Sequence, residues 1–353
     1  MEFGVPKEIR DSEARVGLTP AGVSALKSAG HRVYIQHDAG AAAGFNDDDY
    51  RNVGAEILYS SDEIYGRAAV IAKVARLAEK EYPCLHAGQT LLSWMHLAVA
   101  ARDLVETLQG CRITAIAYEL IRADDGSLPV LVPMSRVAGR MAPIIAGQLL
   151  ESAGGGRGIL LSGIPGVPPA AVVIAGAGVV GANAARAFVG AGAQVTVLDN
   201  QSSKLEALEH EFNGRITTLF STRYNLERVL RFADVLVGAV LVPGQRAPVL
   251  FTHKMIHTMR PRAVFIDFSI DQGGCSETSR PTTHRDPTYV EEGVIHYCVP
   301  NITARVARTA SHALTNASLP HLLEIGARGV EGALESDAML RRGVQVRAGM
   351  MQP

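Results

Sequence analysis

Lysine is nearly missing from this chain. Among 34 basic residues it occupies only positions 7, 27, 73, 80, 204 and 254, so any step that needs an ammonium has few candidates. Excess charge is missing too. The 34 Lys and Arg stand against 35 Asp and Glu, a net charge of −1, which argues against a nucleic-acid or acidic-membrane partner. The four cysteines, Cys84, Cys111, Cys275 and Cys298, form no Cys-x-x-Cys pair and show no zinc-ligand spacing. Neither a disulfide framework nor a metal centre is expected, and a reduced, cytoplasmic interior suits these thiols. The N-terminus lacks the charged and apolar regions of a signal peptide. The longest uncharged run, about Gly158 to Ala185, is broken by glycine and proline, which excludes it as a membrane span.

What the chain does contain is ample core. It has 353 residues, of which 47% are hydrophobic, and that length favours two domains. Its sharpest pattern is Ala171-Val172-Val173-Ile174-Ala175 running into Gly176-Ala177-Gly178-Val179-Val180-Gly181. A buried-strand signal here enters Gly-x-Gly-x-x-Gly, then a helix, then a second strand, Gln194 to Leu198, that ends at Asp199. That order suits a dinucleotide: Gly176 for the tight turn, Gly178 for approach of the pyrophosphate, Gly181 for close helix packing. The free N–H groups of the following helix face the phosphates. Asp199 suits the ribose hydroxyls and would repel a 2′-phosphate, favouring NAD.

Strand and helix signals alternate elsewhere. Phe3-Gly4-Val5, His31 to Gln36, Ala69 to Val74, Thr90 to Trp94 and Ile113 to Tyr118 read as strands. Thr19-Pro20 opens a helix that runs to about Gly30. Met134 to about Ser152 reads as a long helix closed by glycines. Asp234 to Gly238, Ala263 to Asp267 and Val294 to Cys298 complete a nucleotide domain. From Ser311 onward Leu322, Leu323, Ile325, Val330 and Leu334 keep helical spacing, and Arg347 to Pro353 read as a frayed end. The expected fold class is α/β: two doubly wound, Rossmann-like domains with mostly parallel sheets. The NAD-binding domain, residues 131–304, is inserted in a substrate domain made of residues 1–130 and 305–353.

Three residues stand out by position. His96 follows the strand ending at Trp94 and can act as general acid or base; a satisfied structural histidine is the plainer alternative. Asp271 lies between an apolar strand and paired glycines, near where a nicotinamide would sit, or it caps the glycine turn. Arg15 follows the first strand and can grip a carboxylate with two parallel hydrogen bonds, or simply lie on the surface.

These segments resemble the alanine dehydrogenase family, which also includes the nucleotide-binding part of proton-translocating transhydrogenase. The resemblance runs through Glu13-Ala14-Arg15-Val16, Met95-His96-Leu97-Ala98, Pro133-Met134-Ser135, Gly238 to Gly244, Ile270 to Cys275, Ser279 to Thr283 and Ala313 to Ala317. It implies that Arg15 binds the substrate carboxylate, with Met134 and Asn301 beside the substrate, and that His96 and Asp271 are catalytic. It further implies that Ser135, Val179, Val180, Asp199, Lys204, Ser221, Val240, Leu241, Arg280 and Asn301 line the NAD site, and that the chain forms a homo-oligomer, a hexamer.

The chain also departs from the family. Where the family reads Lys-Val-Lys-Glu-Pro, this chain reads Lys73-Val74-Ala75-Arg76-Leu77, so a substrate-binding lysine becomes Ala75. Simple strand alternation puts Lys73 on the face of position 75, which makes Lys73 and Arg76 candidate replacements. The family's Asn-Met-Pro loop reads Asn301-Ile302-Thr303, and the glutamate after Pro-Met-Ser is Arg136. The expected activity is NAD-dependent, reversible oxidative deamination of an amino acid, L-alanine to pyruvate and ammonia, with water addition to the imino acid assisted by His96 and Asp271. The alternatives are a dehydrogenase or imine reductase for another amino acid or amine, and an inactive NAD-binding relative.

Overall fold

A computed structural model describes residues 1–352. The chain divides into two compact units: Met1–Met134 together with the segment from Thr303 onward, and Ser135–Ile302. It therefore leaves the first unit after Met134 and re-enters it at Thr303.

The first unit begins with six parallel strands: β1 (Glu2–Val5), β2 (Arg32–Gln36), β3 (Glu56–Leu58), β4 (Val70–Ala75), β5 (Thr90–Trp94) and β6 (Thr114–Ala117). The second unit contributes β7 (Ala171–Ala175), β8 (Gln194–Asp199), β9 (Thr217–Phe220), β10 (Val235–Gly238), β11 (Val264–Asp267), β12 (Thr288–Glu291) and β13 (Val294–Tyr297). Back in the first unit, β14 (Val344–Arg347) and β15 (Met350–Met351) close the chain. The sheet orders are β15-β14-β6-β5-β4-β1-β2-β3 and β12-β13-β11-β10-β7-β8-β9. Both are mostly parallel. Antiparallel pairing is confined to β14 with β6 and β15, and to β12 with β13.

Each sheet has one switch in strand order, between β1 and β4 in the first unit and between β7 and β10 in the second. In open α/β sheets the crevice at the carboxyl ends beside such a switch is where ligands bind. The candidate residues occupy those places. Arg15 follows β1 and Ala75 ends β4, while the glycine turn follows β7 and Val240 follows β10.

The strands read from sequence are buried on both faces, as parallel sheets covered by helices require. Helix Pro20–Ser28 starts where Thr19-Pro20 suggests, with proline's fixed φ suited to its first turn. Thr19 does not cap it through its side chain; its backbone N–H instead donates to Thr315 Oγ1 at 3.0 Å. Helix Ala307–Ser336, interrupted at Gly329, buries Leu314, Leu322, Ile325 and Leu334 in the core of the first unit. No helix among the described residues is long and apolar enough to cross a membrane.

The C-terminal segment corrects the expectation of a frayed end. Val344 and Val346 are buried, β14 pairs with β6, and the chain turns at Ala348-Gly349 to add β15. Pro353 lies outside the described residues.

Candidate active site

In the first unit the loop after β1 is drawn tightly onto β4. A Cβ at Gly17 would lie 2.2 Å from the Ala72 carbonyl oxygen, so glycine alone permits this approach. Two residues earlier stands Arg15, only 5% exposed. Its Nε and Nη2 donate to the two carboxylate oxygens of Glu13 at 2.7 and 2.5 Å, a bidentate pair that fixes the guanidinium plane. Nη1 donates to Thr303 Oγ1 at 2.8 Å and lies 3.8 Å from Met134 Sδ. Arg15 and Met134 are thus brought together.

Lys73 is placed otherwise than alternation suggests. Its side chain has no exposed surface, and Nζ donates to Glu8 at 3.0 Å and to Glu81 at 2.7 Å. Tyr65 Oη also donates to Glu81, and Glu8 accepts the Val74 N–H. Burial works against the lysine's charge, but the two carboxylates outweigh it and hold its pKa above the ordinary lysine value. Burial pushes Glu8 up in turn, with Lys73 opposing. This ammonium is committed to the fold. The geometry also separates it from position 75. A bulge shifts the β4–β5 register between Ala72 and Ala75, so that Ala72 pairs with Leu92 and Ala75 with Trp94. One extra residue in β4 breaks the two-residue alternation. Ala75 consequently sits on the Trp94 side of the sheet, while Lys73 reaches Tyr65 and Glu81 on the other. Arg76 follows, half-buried.

His96 stands just past β5 in a left-handed backbone conformation, φ 45° and ψ 47°, which a non-glycine residue adopts at a cost. Glu119 holds it there. This buried carboxylate accepts the His96 N–H at 2.6 Å and the Met95 N–H at 3.2 Å, and one of its oxygens lies 4.0 Å from His96 Nδ1. The imidazole is partly exposed and stacks on Trp94. Neither composition nor spacing singles out Glu119. Its only sequence signal is an acid just beyond the end of an apolar strand.

In the second unit the three glycines of the turn differ in what surrounds them. Gly176 has φ 110°, and a Cβ there would lie 2.3 Å from the Ala239 carbonyl. A Cβ on Gly181 would lie 1.8 Å from the Gly176 carbonyl oxygen. Gly178, by contrast, faces open space. It is also the N-cap of helix Val179–Gly190 and supplies no side-chain acceptor to the first-turn N–H groups, which stay available to an anion. Asp199, at the end of β8, accepts the Ala177 N–H at 2.7 Å and the Gln201 N–H at 2.9 Å. Its carboxylate, at the strand end, therefore shapes the glycine turn. Ser221 N–H donates to the Asp199 carbonyl, and Lys204 lies half-buried in the first turn of helix Ser202–Phe212. An open glycine, an uncapped helix start and a carboxylate at the next strand end fit a dinucleotide.

Asp267 organises the loop that carries Asp271. Fully buried at the end of β11, it accepts from Ser269 N–H at 2.8 Å, Cys275 N–H at 2.9 Å and Ser279 Oγ at 2.7 Å. Burial raises its pKa, and these donors moderate the rise. Ser269 Oγ in turn bonds the Val240 backbone on both sides, accepting from its N–H and donating to its carbonyl. Asp271 is half-buried, and its Oδ1 lies 3.3 Å from the backbone N of Asn301, a residue with φ 52°. Asp271 and Asn301 therefore meet. Leu241 is exposed, and the Arg280 guanidinium lies over the Tyr289 ring at 3.9 Å. Ser135 is half-buried in helix Leu131–Leu150.

The N-terminal domain of the alanine dehydrogenase/PNT family matches residues 4–138, and its C-terminal domain matches residues 142–353. An alanine dehydrogenase of Halomonas elongata is 48% identical over 351 residues, 99% of this chain and 94% of its own length. A solved L-alanine dehydrogenase superposes with a TM-score of 0.93 at 45% identity, covering 99% of this chain and 96% of that one. A transhydrogenase from Sinorhizobium meliloti shares the fold at TM-score 0.82 and 22% identity, over 99% of this chain and 98% of that one. On matches that span both units from end to end, the chain belongs to the alanine dehydrogenase/PNT family.

Proposed function

We propose that the protein is an NAD-dependent alanine dehydrogenase, an oxidoreductase acting on the CH–NH2 bond of L-alanine and, in reverse, on pyruvate and ammonia. The observation that supports it most is the end-to-end likeness to L-alanine dehydrogenase, with Arg15, His96 and Asp271 each held by dedicated partners. When bound, NAD would supply the hydride chemistry at the substrate α-carbon. The remaining work falls to the chain. Arg15 holds the substrate carboxylate. His96 takes a proton from the water that adds to the imino acid and returns one as ammonia leaves, and Asp271 supports the charge that develops. Gly178 and the start of helix Val179–Gly190 would hold the pyrophosphate. Asp199 would hold the ribose and exclude a 2′-phosphate. Residues Ser135–Ile302 would thus form the NAD domain and the rest the substrate domain. A cytoplasmic homo-oligomer, a hexamer, accords with this reading.

Ala75 favours a second reading, a relative tuned to another 2-oxo acid. NADH oxidation with ammonia and a panel of 2-oxo acids, pyruvate first, decides between them. Turnover of pyruvate above the others is expected. Turnover of a different acid alone would move the assignment to that acid, and turnover of none with NADH still bound would leave an inactive relative.

A further inference from the structure

By the resemblance read from the sequence, this chain has Ala75 in place of a lysine and Thr303 in place of a proline. The structure links the second departure to the substrate-binding arginine. Glu13 takes Nε and Nη2 of Arg15 through both of its oxygens, which fixes the guanidinium plane. The Arg15 backbone N–H also donates to Glu13 Oε1 at 3.1 Å, which closes the pair on one short stretch of loop. Thr303 Oγ1, 288 positions away in sequence and itself only 5% exposed, accepts from the third nitrogen at 2.8 Å. The guanidinium is then tied to two separate stretches of chain. A proline has neither donor nor acceptor in its side chain and cannot make this bond.

We propose that Thr303 is a positioning residue: its hydroxyl holds the Arg15 guanidinium in the orientation that binds the substrate carboxylate. The inference rests on Arg15 being the carboxylate-binding residue of the proposed dehydrogenase. Preorganising a charged donor raises affinity by removing the ordering cost from the binding step.

Thr303→Val keeps the shape and deletes the acceptor; Thr303→Ser keeps the acceptor. With whichever 2-oxo acid the unaltered protein uses, Thr303→Val should raise KM for that acid about tenfold, about 1.4 kcal/mol. Its kcat and its KM for NADH should stay within about twofold. Thr303→Ser should stay within about twofold on every parameter. In an Ala75→Lys background the effect of Thr303→Val should shrink to about threefold or less, because a second cation shares the carboxylate. If Thr303→Val does not accumulate as folded protein, Thr303→Pro removes the same acceptor and restores the family residue. An unchanged KM in the acceptor-less variant, equal losses in Val and Ser, or an undiminished effect beside Lys at position 75 would each overturn the proposal. Failure of the unaltered protein to turn over any 2-oxo acid would instead defeat the functional reading beneath it.

Discussion

Replacing Lys73 by methionine removes the one cation from a buried cluster of two carboxylates and a phenol. Glu8 and Glu81 would remain with side-chain exposures of 2% and 4% and no ammonium between them. Breaking a buried pair in this way costs about 3–5 kcal/mol, a large share of the roughly 5–15 kcal/mol that holds a domain folded. The midpoint of thermal unfolding should fall by roughly 6–20 °C at neutral pH. The loss should depend on pH at both ends. Burial already holds the Glu8 pKa above its ordinary value with Lys73 opposing, and without the lysine it rises further. The native variant then binds protons that the unfolded chain does not, and its deficit shrinks as pH falls toward about 5. In the unaltered protein the lysine pKa is raised in the folded state. Its contribution is whole below the ordinary lysine value and is lost as pH rises through the folded one, so the two proteins should also converge above about pH 10.5. Thermal unfolding from pH 5 to 11 reads this directly, with steady-state kinetics at a temperature where both proteins are folded. KM for the 2-oxo acid should hardly move. A tenfold rise in KM with no change in unfolding temperature would refute the reasoning and return Lys73 to the substrate.

Glu119→Gln places an amide N–H2 against one of the two backbone N–H groups that Glu119 accepts. It should lower kcat about tenfold or more with NADH affinity unchanged, and a kcat within twofold would mean that His96 keeps its left-handed turn unaided. Gly238→Ala puts a Cβ 2.4 Å from Cys275 Sγ and 3.0 Å from Asp267 Oδ1. The Asp271 loop must shift, so kcat should fall while NADH binding survives; unchanged kinetics would show that the loop absorbs the methyl. Gly178→Ala meets no protein atom, whereas Gly181→Ala collides with the Gly176 carbonyl. The first should fold normally and lose NADH affinity about tenfold or more, and the second should fail to fold stably. Normal cofactor affinity in Gly178→Ala would count against the pyrophosphate lying there.

The central strands are legible because parallel strands buried on both faces write continuous apolar runs between turn residues, as at Val172 to Ala175 and Val264 to Ile266. The short edge strands β3, β9, β12 and β15 bury little and leave no such run. The terminal hairpin turns through Ala348-Gly349, with φ 48° and 83°, and alanine at its first position is not a residue that announces such a turn. At the site, Arg15, His96 and Asp271 are visible as polar residues just beyond strand ends. What holds them is less visible. Glu119 lies 23 residues from His96, and Thr303 lies 288 from Arg15; only the tertiary fold brings them together. Strand alternation misplaces Lys73 for a local reason. Alternation is a sound rule until one extra residue enters a strand, and the β4 bulge lies between the two positions the rule was asked to relate.

Nη1 of Arg15 touches Met134 and Thr303, the last residue before the chain leaves the first unit and the first after it returns. The group that would read the substrate thus rests on both ends of an insertion. Evolution can retune such a protein from the seam of the insertion as well as from the pocket. A changed side chain at Thr303 would reset the guanidinium, and affinity would drift with the splice.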